Sequence, residues 1–247
     1  MSVVARPREI ACARCQHRFV VSLFSSLHAT RAPEVRAQIL NRQFQRFACP
    51  SCGRAVLAAP TLLYTDFDRH QFFAVFPTRH LVHAAALEAR VAELFSRNFE
   101  RAAPPMVRAM APGFVRRCVF GLPALREKLL LFEAGLDDVD VELLKVRVMR
   151  DHWPRWFGWR ASVTVDTIES DALELEVVGP AWSDGVEVSA RVRCPRAALT
   201  EAHAARQGRP SPFGALAVDW RASVAPQRPI PEAARPDFEP FDLAVPA

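Results

Sequence analysis

Four of the six cysteines form two pairs of the same spacing, Cys12-Ala13-Arg14-Cys15 and Cys49-Pro50-Ser51-Cys52, and Gly53 follows the second. Two cysteines three positions apart present both thiolates from one tight turn, and two such turns complete the tetrahedral four-sulfur shell that zinc takes in structural sites. The expectation is one structural Zn2+ held by Cys12, Cys15, Cys49 and Cys52. Gly53 suits the reversal after Cys52, where a left-handed residue lets backbone N–H groups face sulfur; Gln16, at the corresponding place after Cys15, suits it less. The 33 residues between the pairs exceed the roughly 15 to 20 that are usual. Loop closure costs only about 0.6 kcal/mol per doubling of length, whereas a structural zinc site contributes on the order of 10 kcal/mol, so the spacer does not stand against the site. Arg14, Arg18 and Arg54 are placed to offset the negative charge of four thiolates around the ion. Disulfides are disfavoured inside a cell, and a redox Cys-x-x-Cys stands alone at a helix N-terminus without need of a second pair. With all four positions filled by protein, no water binds the metal, and hydrolysis there is not expected.

The remaining residues able to do chemistry carry weaker signals. Asp66 and Asp68 lie two apart with His70 nearby, a spacing that can mimic a hydrolytic site but more often marks a solvated turn. His17 follows Cys15 by two and reads as a surface strand residue, while Cys118 and Cys194 read as small buried hydrophobes. The run His152-Trp153-Pro154-Arg155-Trp156-Phe157-Gly158-Trp159-Arg160 mixes rings and guanidinium groups as base-stacking surfaces do; sealing a packed interface is the favoured reading. No phosphate loop, dinucleotide fingerprint, nucleophile elbow or metalloprotease helix occurs. Catalysis is not expected.

These residues need elements to position them. A strand before Cys12 and another over His17–Phe24 bracket the first pair, and a helix is expected over 33–43, opened by Pro33. Strands are expected at 54–58, 61–65, 71–76 and 115–120. An amphipathic helix over 82–99 carries Leu87, Val91, Leu94 and Phe95 on one face. A helix with Leu122, Leu125, Leu129 and Phe132 stops at Gly135, and the next begins at Asp137 or Asp138 with Val139, Leu143 and Val146 inward. Beyond 161 the period becomes two, at Val163 and Val165, at Leu173, Leu175 and Val177, and at Val186, Val188 and Ala190, which predicts an antiparallel sheet. A helix near 195–206 packs on it. Six prolines mark an extended tail, to which Phe238, Phe241 and Leu243 add apolar anchors.

The Cys pair, the helix-bearing spacer, Cys49-Pro50-Ser51-Cys52-Gly53 and the run Pro60-Thr61-Leu62-Leu63-Tyr64-Thr65-Asp66 together resemble the bacterial CpXC domain over about residues 8–120. Leu125-Arg126-Glu127-Lys128 with Gly135-Leu136-Asp137-Asp138 resembles the continuation of longer members. Ala13 stands where those proteins often have proline. The resemblance implies the cysteine ligands and brings no activity.

Half of the 247 residues are apolar and a quarter are charged, which fits a globular chain and excludes wholesale disorder and collagen-like repetition. No apolar run approaches the roughly 18 residues of a membrane span and no secretory core is evident, so a cytoplasmic location is expected. The net charge of +5 conceals a division: residues 1–120 hold 17 basic against 7 acidic residues, and residues 121–247 hold 15 against 20. Thirty of the 32 basic residues are arginine, a bias that GC-rich coding produces without selection for phosphate contacts. The expected fold is α+β: a zinc-ribbon domain over 1–120, a helical connector over 121–160, a small antiparallel β domain over 161–225 and a Pro-rich tail over 226–247. The first functional expectation is a non-catalytic, zinc-stapled adaptor that binds another protein; the second is nucleic-acid binding by the basic half. The partner and the oligomeric state are not written in the sequence.

Overall fold

A computed structural model describes residues 4–154, 160–179 and 189–228. The chain is mixed α and β, and its contacts fall into two units: residues 4–78 with 89–122, and residues 79–88 with the described part of 123–228.

The first unit begins with strands β1 (Val4–Ala11) and β2 (Arg18–His28), paired antiparallel around the first cysteine turn. Helix α1 (Pro33–Leu40) follows, with Pro33 in its first turn and Val35 and Ile39 buried. Two three-residue strands, β3 (Arg46–Ala48) and β4 (Ala55–Leu57), form a separate hairpin around the second cysteine turn. Strands β5 (Leu62–Asp66) and β6 (Gln71–Phe76) are buried along their whole length. Helix α2 (Ala84–Phe95) runs on as a π-helical stretch, Ser96–Arg101, and helix α3 (Pro105–Met110) leads to strand β7 (Val115–Phe120). The sheet order is β1-β2-β5-β6-β7. Pairs β2/β5 and β6/β7 are parallel because helical crossovers separate them in sequence, whereas tight turns join the antiparallel pairs.

Aromatic side chains fill this unit's core. Phe95 stacks on Phe99 at 4.5 Å, Phe72 meets both edge-on, and Phe114 lies 5.1 Å from Phe99. Each such ring contributes about 1.5–3 kcal/mol by burial. Strand β2 pairs with β5 only over Ser26–His28. From Arg18 to Ser25 it has β1 as its strand partner, and the two form a protruding ribbon with mostly exposed side chains.

The second unit joins helices α4 (Leu122–Glu133) and α5 (Asp138–His152) to an antiparallel sheet of β8 (Ser162–Ile168), β9 (Ala172–Val178) and β10 (Ser189–Pro195), ordered β10-β9-β8. Helix α6 (Arg196–Arg206) and the short α7 (Trp220–Val224) complete it. Leu131, Val141, Leu144 and Met149 of the helices share one core with Val163, Val165, Leu173, Leu175, Val177 and Trp220. The expected helical connector contributes side chains to this core.

One expectation is corrected here. On α5 the residues turned fully inward are Val141, Leu144, Val148 and Met149, while Val139, Leu143 and Val146 lie at the margins. The inward face also holds Asp138, Glu142 and Lys145, and those charges inverted the apolar pattern. Strand β10 starts at Ser189; Val186, Val188, the run 155–159 and the tail from 229 lie outside the described residues.

Helix ends follow the residues expected to set them. Gly135 takes φ +65°, and Leu136 N–H reaches back to Leu131 C=O at 2.9 Å, which closes α4. The Asp137 side chain accepts from Val139 N–H at 2.8 Å and opens α5. Asp137→Ala should lower stability by about 1 kcal/mol in urea unfolding. Asp137→Asn should recover most of that loss, because an amide oxygen still caps; if Asn is as damaging as Ala, the ion pair of Asp137 with Arg206 carries the effect instead of the cap.

Candidate metal centre

Each cysteine pair sits on a turn built to one plan. In the first, Cys12 N–H donates to His17 C=O at 2.9 Å and Gln16 N–H to Cys12 C=O at 2.8 Å; in the second, Cys49 N–H donates to Arg54 C=O and Gly53 N–H to Cys49 C=O, both at 2.8 Å. Gly53 has φ +69° and Gln16 has φ +59°. The less suitable Gln16 thus takes the same left-handed conformation, held by its side-chain amide donating to Ala13 C=O at 3.2 Å.

The two turns converge. Cys12 Sγ lies 3.7 Å from Cys52 Sγ and Cys15 Sγ 3.6 Å from Cys49 Sγ, and all four sulfurs fall within 4.8 Å of one another. The distances exceed a disulfide bond, and all four cysteines are free. An ion bonded to four thiolates at about 2.3 Å in a tetrahedron requires sulfur–sulfur edges of about 3.8 Å. Two of the six edges, at 3.6 and 3.7 Å, meet that requirement and the others lie within 4.8 Å, so these four residues could hold a metal ion. Cys12 and Cys49 are buried, Cys52 is half-buried and Cys15 is exposed.

The backbone prepares the sulfurs for a cation. N–H groups of Cys15 and Arg14 directed at Cys12 lower its thiol to about 6, and the His17 N–H lowers Cys15. At Cys52 the Arg54 N–H pulls in the same direction, but burial and the three neighbouring sulfurs outweigh it and push the thiol up to about 11. Four thiolates at this spacing repel one another, and a divalent ion at their centre removes that repulsion.

Among the described residues this is the one group of three or more potential ligands that converges in this way. His17 stacks on Phe19 at 6.2 Å, outside the cluster, and Cys118 and Cys194 are buried elsewhere. Asp68 and His70 are exposed, but Asp66 is fully buried, contrary to a solvated turn. It accepts from the hydroxyls of Thr30 and Tyr64 and from the backbone and guanidinium of Arg69, and so organises the β5–β6 turn.

A second polar cluster escaped the sequence reading. The chain's two lysines, Lys128 and Lys145, are both 3% exposed. Lys145 Nζ donates to Glu127 at 2.6 Å and to Glu142 at 2.8 Å. Lys128 Nζ lies 2.8 Å from Asp138 and donates to Val218 C=O at 2.8 Å. Glu127 also accepts from Val165 N–H at 2.5 Å, Glu142 accepts from Trp220 N–H at 3.1 Å, and Arg126 donates to Asp166 C=O at 3.0 Å. Burial acts to lower Lys145, but Glu127 and Glu142 outweigh it and hold the ammonium charged, so it is no nucleophile at neutral pH. The signal available in the sequence was the bias itself: two lysines kept where thirty other basic residues are arginine.

The CpXC protein family matches residues 10–145, more than half of the chain. The chain belongs to the CpXC family. No match is found among curated proteins or among solved structures. The CpXC match takes in both cysteine turns and closes on Lys145, so it holds the whole candidate metal centre and all five charged groups at the heart of the buried network. It also joins the two motifs seen in sequence beyond residue 120: Lys128 of the first binds Asp138 of the second. No helix of the described residues is long and apolar enough to cross a membrane.

Proposed function

We propose that this chain is a non-catalytic binding protein whose metal centre is a structural zinc ribbon. The observation that supports this reading is the match between the sulfur separations of 3.6 and 3.7 Å and the edge of a zinc–thiolate tetrahedron. Four thiolates saturate such an ion and leave no position for substrate or water. Zinc then acts by geometry: it ties the β1–β2 ribbon to the β3–β4 hairpin and fixes the surface around them. The N–H groups aimed at sulfur and Arg14 and Arg54 beside the ligands offset the site's negative charge.

Elemental analysis of the protein purified without added metal should find about one zinc per chain, released with loss of structure by a strong chelator. Iron in place of zinc, or no bound metal under reducing conditions, would overturn the assignment.

A further inference from the structure

The surface that zinc would shape is unusual in charge. Residues 1–60 contain nine arginines and two acids, Glu9 and Glu34. Arginine bias alone does not produce this, since residues 121–247 carry the same bias with acids in excess. The structure concentrates the charge on the protruding ribbon and the two cysteine turns. Arg6 and Arg8 stand two apart on one face of β1, opposite Leu23 and Val21, and Arg18 lies opposite Ala11. Arg14 stands within the first cysteine turn and Arg54 just after the second. All five are exposed, as is Arg46 at the start of β3. Glu9, the one acid on the ribbon, pairs with Arg18 at 2.9 Å. The half-buried Phe19 and Val21 share the face of Arg6 and Arg8, while Val20, 67% exposed, lies on the other face, opposite Glu9 and on the side of Arg18.

Resting on the zinc reading, which brings Arg14 and Arg54 together, we propose that the β1–β2 ribbon and the metal tip form a binding surface for duplex DNA. Charge complementarity calls for a polyanion, and the shape selects which. A two-stranded ribbon of eight residue pairs, about 24 Å long at roughly 3.4 Å per residue, fits the wide major groove of B-form DNA. The deep, narrow major groove of A-form RNA excludes it. Arg6, Arg8, Arg14, Arg46 and Arg54 reach phosphates, and the half-apolar ribbon faces base edges.

The test uses full-length, zinc-analysed protein and a fluorescently labelled 20-base-pair DNA duplex, with an RNA duplex and a single-stranded DNA of the same sequence as comparators. Some five phosphate contacts predict a log–log salt slope near −4.5, or about a 500-fold loss of affinity between 50 and 200 mM salt. Arg6→Ala/Arg8→Ala/Arg46→Ala, which leaves the arginines beside the sulfurs in place, should keep zinc and weaken binding at least tenfold, with a slope shallower by about three. The triple lysine variant at the same positions should restore both, which separates lost phosphate contacts from lost folding. No duplex binding at 50 mM salt, salt-insensitive binding, RNA duplex or single strand bound as tightly, or an unaffected alanine variant would each overturn the inference. Zinc bound with no duplex bound defeats this inference alone and leaves the staple standing. Absence of zinc defeats the staple, and duplex binding that persists unchanged without metal defeats the claim that the tip needs it.

Discussion

Cys49→Ser should abolish stoichiometric zinc and unfold the two hairpin turns of the first unit, the largest effect that one substitution is expected to have on this chain. Structural zinc contributes on the order of 10 kcal/mol. The parts it joins have few other contacts: β3 and β4 are three residues each, and the ribbon is largely exposed. The main link between them is Phe24, which stacks on Phe44 at 5.5 Å and donates its N–H to Gln45 at 3.0 Å. A two-stranded hairpin of that size is marginal in water. Serine removes the ligand and keeps the volume, so the loss reports coordination rather than packing. All five tryptophans lie at or beyond position 153, and Trp220 is 1% exposed within the core of the second unit. Tryptophan emission should therefore stay native while limited proteolysis cuts between residues 8 and 57. A Cys49→Ser protein that keeps a full zinc complement, or that resists protease there as well as the parent does, would refute the staple.

How much of this could be read from the residues depends on what set each element. Where apolar side chains decide, the sequence period and the structure agree: β5, β6, β7, β8 and β9 fall where expected, as do α2, α4 and α6 with Leu87, Val91, Leu125, Leu129 and Leu199 buried. The cysteine turns were legible for a different reason, since Cys-x-x-Cys specifies local geometry and chemistry at once. Where a few local contacts or buried charges decide, the reading failed. Strand β3 is too short to show a period, and α3 buries none of its side chains. Asp66 looks like any turn aspartate until Thr30, from 36 residues earlier, and Tyr64 supply its partners. The parallel pairing of β2 with β5 leaves no trace in either strand, because crossover connections, not local sequence, set it.

Helix α5 is the extreme of that failure, and it carries the second large prediction. Lys145→Met should destabilise the second unit by about 3–5 kcal/mol, because it leaves Glu127 a buried carboxylate without its ammonium and Glu142 with only Lys128, 3.4 Å away. Glu127→Gln combined with Lys145→Met should recover a good part of the loss, since the amide oxygen still accepts from Val165 N–H and one stranded charge is gone. Lys145→Arg keeps the charge, yet should cost about 1–3 kcal/mol, because a planar fork larger than an ammonium must enter a site that is 3% exposed. In the fold the lysine is held above its unfolded value of about 10.4. Its contribution is fully present below that value and fades only as pH rises through the folded one. Burial raises Glu127, and losing the ammonium raises it further, so the Lys145→Met deficit should shrink as pH falls and the stranded carboxylate takes up a proton. Urea unfolding followed by tryptophan emission measures all three variants. Lysine would then be retained at 128 and 145 for its compact, three-donor head, a requirement that arginine cannot meet in a chain otherwise built with it. Neutral behaviour of Lys145→Arg would show that the site accepts either cation, and that the two lysines mark nothing.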